Sequence, residues 1–483
     1  MAQPASSIEH QGTSIEQRAS RIETDWLGEK EVPADALYGI QTVRAVENFP
    51  ISGERPIPEF ITALAMVKRA AAVANIRTHR LPEDPGIAIR DAIDEVMRGR
   101  WHDQFVVDVF QAGAGTSMNM NANEVIANRA LDIMGHPRGS YDIINPNDHV
   151  NMSQSSNDVI PTAMRLTALD LGLRLVSALA ELEDVLWIKA DQFNGVLKSG
   201  RTHLRDAVPI RLGQEFGAYA VAIAKCEDQL LSALDMMKEL NLGATAVGTG
   251  INSTVDYRVF ALAELKEYTG IEDLRPPRDW VEVTQSMGDF LEVSGAMRNT
   301  AVALTKIAGD LMLMFSGPET GFHEIELPTV QPGSSIMPGK VNPSVPEMMH
   351  MVCCQVIGND LTISEAARSG ALDLNPMTPL IARNLFESMI ILRNGVSVFS
   401  EKCVRGITAN EERCRSLAEH SLGLVTALTP RIGYHAASEV AQEAARTDKS
   451  VREIIIEKGI LTPQETDRLL RPQLLTEPGI LGE

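Results

Sequence analysis

The stretch DVIPTAMRLTALDLGLRLVSALAELEDVLWIKADQF, from Asp158 to Phe193, decides the fold class. Leu166, Leu169, Leu173, Val176, Leu179, Leu182 and Leu186 return at helical steps and draw one apolar stripe. At 1.5 Å of rise per residue such a segment is a rod on the order of 50 Å long. Similar segments run from about Leu212 to Leu240, from Met287 to Phe315 and from Pro346 to Ser364, and Gly317-Pro318 stops the third. Rods of this length carry more apolar surface than one chain covers. The pattern therefore predicts an elongated bundle that oligomerises through its helices.

Outside these rods the reading stays helical. Aromatic residues are 5% of the chain while Ala, Leu, Met and Glu abound, which favours helix over sheet and gives a mainly α class. Before Ile144, short helical patches alternate with loops, and after Gly406 short segments carry Pro430 and Pro463. The expected division is a mostly helical N-terminal domain (1–150), a central long-helix bundle (151–406) and a small C-terminal helical domain (407–483). The first twenty residues are polar, without the apolar centre of a signal peptide, and read as a loose tail. No window approaches the roughly 18 apolar residues of a membrane span.

Acidic residues outnumber basic ones by 64 to 44, a balance that repels nucleic acid and anionic membrane surfaces. Cys226, Cys353, Cys354, Cys403 and Cys414 are sparse and show no CxxC spacing, the usage of reduced thiols in the cytoplasm. No metal-ligand spacing is visible. The same acidic field would repel a dicarboxylate, so a site for one must create its own positive potential.

Three polar motifs precede long helices. Gln154-Ser155-Ser156-Asn157-Asp158 lies just before Pro161, the composition of a helix N-terminus, where free N–H groups bind anions. Read alone, it is more simply a cap. Gly200-Arg201-Thr202-His203-Leu204-Arg205-Asp206-Ala207-Val208-Pro209 gathers a hydroxyl, an imidazole and guanidinium groups, read as a loop able to hold a carboxylate or an amine. His203 alone would be a solvated side chain. Gly333-Ser334-Ser335-Ile336-Met337-Pro338-Gly339-Lys340-Val341-Asn342-Pro343 is no phosphate loop: five residues separate its glycines and Val341 follows the lysine, where that loop needs four and a Ser or Thr. Converging helix ends, hydroxyls and Lys340 would give the pocket for negative charge that the overall field lacks.

GSSIMPGKVNP resembles the hallmark loop of the aspartase/fumarase superfamily, and the likeness extends from Arg21 to about Gly479. RIETDWLGEKEVPADALYGIQTVRAVENF, Gly113-Ala114-Gly115-Thr116-Ser117, the Asn145 start of NPNDHVN, and EIELPTVQPGSS resemble aspartases more than class II fumarases. Ser155-Ser156-Asn157 reads as in fumarases. The resemblance implies the aspartase/fumarase fold, with three domains per elongated subunit and a homotetramer whose active sites are shared between subunits. It also implies reversible deamination of L-aspartate to fumarate and ammonia. The alternatives are fumarate hydration, a related ammonia-lyase with another amine or acid, and an inactive helical scaffold. No cofactor is implied as required, and activation by Mg2+ occurs in some aspartases.

Carried over residue by residue, the resemblance makes Ser334 the base that takes the Cβ proton. It assigns Lys340, Asn342 and Thr202 to the α-carboxylate, and Thr116, Asn157 and His203 to the amino group. Thr116, Ser155, Ser156 and Ser335 would surround the β-carboxylate. The chemistry fits, because removing a proton beside a carboxylate builds a dianion that preorganised donors must stabilise. A serine serves as base only where N–H groups and a cation support its alkoxide. Two departures stand out: Arg205 where both families usually have Gln, and Asn375-Pro376-Met377-Thr378 where aspartases usually read N-V-M-E.

Overall fold

The computed structural model describes residues 19–421, 423–447 and 449–479. Most of the tail expected at the N-terminus lies outside them. The periodic segments are the long helices Ser156–Gln192, Leu212–Met236, Gly288–Phe315 and Ser344–Ala367. A fifth, Thr378–Lys402, joins them. Among the described residues, strands form three two-stranded ribbons.

By its packing the chain separates into two units, each built from non-contiguous stretches. The first takes residues up to Thr167 together with Glu239–Ser286 and Ser369–Leu380. In it the Pro58–Arg77 helix packs between Glu83–Met97 and Val255–Thr269. Pro161 lies inside the helix that starts at Ser156, within its second turn. A proline has no N–H for the carbonyl four residues earlier. Here that carbonyl, of Asn157, accepts from Asn241 Nδ2 at 3.2 Å, so the helix continues without an orphaned group.

The second unit takes Ala168–Lys238, Met287–Arg368 and the chain from Ile381. The Gly288–Phe315 helix packs against Leu212–Met236 and Ser344–Ala367, burying Phe290, Val293, Met297, Leu304 and Leu311. The C-terminal short helices build a separate core around Leu428, Val440, Val451, Ile454 and Ile455. On the rods Leu173, Ile188, Val302, Met351 and Leu361 stay exposed, Met351 at 70% and Leu361 at 64%.

Candidate active site

The first unit carries Thr116, Ser155, Ser156 and Asn157. Thr116 opens the Thr116–Met134 helix after a tight turn in which Ala114 and Gly115 both have positive φ. A Cβ on Gly115 would stand 2.9 Å from Ile160 Cγ1, so glycine lets this helix start close to the Ser156–Gln192 helix. Pro376 braces the turn through its carbonyl, which accepts the Ala114 N–H at 2.8 Å. One turn into the helix, buried Asn119 donates to Ser156 Oγ at 3.1 Å. Two helix N-termini, each with free N–H groups and about half a positive charge, thus lie side by side.

Ser155 and Asp158 cap the second of these ends. Ser155 Oγ accepts from Asn157 N at 3.2 Å and Asp158 Oδ1 from Ser155 N at 2.9 Å. Capping is therefore part of what this motif does. Asn157 points its Nδ2 at the Ala246 carbonyl, 2.8 Å away, and Thr116 remains exposed at the surface of the turn.

Beneath this end lies Lys68, a fully buried amine that sequence reading passed over. Its Nζ bonds Asn151 Oδ1 and Gln154 Oε1, both at 3.0 Å. Burial pushes its pKa down to about 7, against the pull of Asp158. Burial also raises Asp158 to about 6, although its carboxylate accepts N–H bonds from Ser155, Gly243 and Thr245. Asn151 Oδ1 also accepts from Asn119 and Asn123, so the chain of amides runs from Lys68 to the group that holds Ser156. A lysine in an alanine-rich helix carries no sequence signal of this role.

The second unit carries Thr202, His203, Ser334, Ser335, Lys340 and Asn342. The second motif is not a loop but a β-hairpin, Leu197–Thr202 paired with Arg205–Arg211. His203 and Leu204 form its two-residue tip with φ of 54° and 57°, both left-handed, as a tight hairpin turn requires. Opposite Gly200 the second strand bulges, two residues, Ala207 and Val208, facing one, and a Cβ on Gly200 would meet the Val208 carbonyl oxygen at 2.5 Å. Residues three apart on a regular strand face opposite sides. Lys198 and Arg201 nevertheless reach the same carboxylate, Glu324, each at 2.9 Å.

Glu324 is wholly buried, Lys198 nearly so, and Lys198 also bonds Glu215 at 2.8 Å. Burial opposes the Lys198 charge, but the two carboxylates outweigh it and hold its pKa above the usual lysine value. Arg201 further stacks on Phe322 at 4.1 Å. The sequence reading offered both guanidiniums of this motif for anion binding. The structure spends Arg201 inward and leaves Thr202, His203 and Arg205 exposed at the hairpin end.

The third motif is a loop leading into the Ser344–Ala367 helix. Asn342 Nδ2 donates to the Gly333 carbonyl at 2.8 Å and clasps the two ends of the loop together. Inside the clasp, Ser334 Oγ accepts the N–H groups of Met337 at 3.0 Å and Ile336 at 3.3 Å. Ser334 is half-buried, while Ser335 and Lys340 are exposed. Two amide donors aimed at one hydroxyl oxygen are the arrangement that stabilises an alkoxide. Among the described residues no group of three or more His, Cys, Asp or Glu side chains is placed to hold a metal ion.

This constellation of donors around a serine has a family. The model described as Lyase matches residues 28–358, and the one described as Fumarase C C-terminus matches residues 424–477. The chain belongs to this lyase family, the aspartase/fumarase superfamily. Among its relatives, an aspartate ammonia-lyase from a Bacillus species is 49% identical over 96% of this chain and 98% of its own. That of Escherichia coli K12 is 47% identical over 95% and 96%. Of solved structures, the fumarate lyase:delta crystallin from Brucella melitensis bound to cobalt is 50% identical with a TM-score of 0.93, covering 95% of this chain and 100% of that one. The class II fumarase from Schistosoma mansoni is 37% identical with a TM-score of 0.88, covering 94% and 98%.

Proposed function

We propose that this chain is an aspartate ammonia-lyase that interconverts L-aspartate with fumarate and ammonia. The observation that carries the reading is the Ser334 oxygen with two backbone N–H donors on it, in a chain whose near-full-length relatives bear that name. Ser334 as alkoxide takes a proton from Cβ. The electron pair passes into the adjacent carboxylate to give the aci-carboxylate dianion, which the helix ends and the hydroxyls of Thr116, Ser155, Ser156 and Ser335 stabilise. The intermediate then collapses to the carbon–carbon double bond, and the carbon–nitrogen bond breaks with its electron pair leaving on nitrogen. The substrate ammonium departs as ammonia, which takes up the proton from Ser334. Thr116, Asn157 and His203 hold the amine, and Lys340, Asn342 and Thr202 the other carboxylate. No electron is transferred to an acceptor, so the proposal includes no cofactor, and chelation by EDTA against added Mg2+ reads any activation.

The enzyme is proposed as a cytoplasmic homotetramer with sites shared between subunits. Exposed Leu173, Ile188, Val302, Met351 and Leu361 along the rods support assembly. Five unpaired cysteines support a reducing compartment. Among the described residues no helix is long and apolar enough to cross a membrane. Purified protein is incubated with fumarate, with and without ammonium. Aspartate formed only with ammonium supports the reading. Malate formed without it makes the chain a fumarase, and no product in either reaction makes it a scaffold.

A further inference from the structure

The hairpin sorts its two tip-proximal arginines onto opposite faces. In an antiparallel pair, residues directly opposite each other project to the same side, with Cβ atoms about 5 Å apart. Arg201 pairs with Asp206, and Thr202 pairs with Arg205. The Arg201 side chain runs inward to Glu324 and Phe322. Arg205 therefore shares the other face with Thr202, and both are exposed. Among the described residues no hydrogen bond or ion pair engages the Arg205 side chain. Its planar fork of donors suits bidentate capture of a carboxylate. The turn beyond it is a two-residue left-handed tip, which fixes where the pair stands.

We infer that Arg205 is a specificity-determining residue that takes, together with Thr202, a carboxylate of the substrate. The inference rests on the lyase reading in one respect: it is the substrate's α-carboxylate that Thr202 is assigned. A guanidinium in that position favours a dicarboxylate over the same molecule with this carboxylate converted to an amide, because the amide brings no charge to the fork and sets its N–H2 against donors. Arg201 cannot substitute, since its charge is already met by Glu324.

The test uses the full-length enzyme and its variants Arg205→Gln and Arg205→Lys, with succinate as the binding probe. Calorimetry gives the succinate Kd, and kinetics give KM and kcat for L-aspartate and for L-aspartate α-amide. Arg205→Gln is expected to weaken succinate about 10- to 100-fold, the loss that accompanies a charged hydrogen-bonded contact. KM for aspartate should rise in parallel, with kcat held within about threefold, because the contact is made in ground and transition states alike. Discrimination against the α-amide should fall by the same factor, and Arg205→Lys should recover part of it. A succinate Kd within twofold of wild type in Arg205→Gln overturns the inference. So does a changed sedimentation coefficient, which would assign Arg205 to a contact between subunits. A wild-type protein that binds succinate in an Arg205-dependent way but fails to deaminate aspartate refutes the lyase reading and leaves the carboxylate assignment standing.

Discussion

Ser334→Ala removes one oxygen, and the geometry around that oxygen sets the size of the effect. Ser334 Oγ accepts from Met337 N at 3.0 Å and from Ile336 N at 3.3 Å. A hydrogen bond to a charged group contributes about 1.5–3 kcal/mol, so two donors favour the alkoxide by about 3–6 kcal/mol. Losing a general base typically costs about 10²- to 10⁴-fold in rate, or about 2.7–5.4 kcal/mol of barrier. The two ranges overlap, as they should if the donors' task is to make the base. The assay is fumarate release from L-aspartate, followed beside the succinate dissociation constant for each variant. In Ser334→Ala, kcat should fall by at least about 100-fold while succinate binding changes little. Ser335→Ala should weaken both, since its proposed task is to hold a carboxylate throughout. Sedimentation must show the same assembly as wild type. Near-normal turnover in Ser334→Ala places the base elsewhere and refutes the mechanism at its centre.

The buried charges give further expectations. Glu324→Gln leaves Lys198 with Glu215 alone and Arg201 without its carboxylate, and should destabilise the protein by about 3–5 kcal/mol, read by chemical denaturation. Lys68 has its folded pKa held down to about 7, against the ordinary lysine value of 10.5. Between those values the unfolded chain takes up a proton that the folded one does not, so stability rises with pH there, by at most about 1.4 kcal/mol per unit. The melting temperature of wild type, measured against Lys68→Met, should therefore climb from about pH 7 to about pH 9.5, and a flat difference would count against a neutral buried amine. Leu361→Asp, at an exposed apolar position on a rod, should shift sedimentation toward smaller species, and an unchanged coefficient would exclude that face from assembly.

The rods can be read from sequence because their apolar residues return at one helical step: the spacing predicts a helix from Met287 to Phe315, and Gly288–Phe315 is found. The Thr378–Lys402 helix escapes the same reading. It is legible all the same: Ile381, Leu385, Met389, Leu392, Val396 and Phe399 return at three- and four-residue steps, all buried, with Asn384, Ser388 and Ser400 buried beside them. The hairpin escapes because its tip is His203-Leu204 rather than the Asn-Gly that announces such a turn. Its inward side chains are charged, and the carboxylate that accepts Arg201 lies 123 residues away. Local pattern carries no trace of a partner at that separation. The third motif, by contrast, is legible as a loop with a cation and two serines. What it cannot reveal is which N–H groups turn toward Ser334.

The bulged hairpin also determines where this protein tolerates a change of length. Below the tip, the spacing from Lys198 to Arg201 acts as a gauge: both meet one carboxylate, and the extra residue lies on the opposite strand, where Ala207 and Val208 face Gly200 alone. Deleting a residue between Lys198 and Arg201 would shift one of the two cations along the strand, away from Glu324. Adding residues at positions 203 and 204 leaves that gauge untouched, because the register beneath is already set by the buried charges. Engineered loops of differing length therefore belong at the tip, and homologous hairpins recombined with this one must be joined above Arg201 and Asp206, never through the bulge.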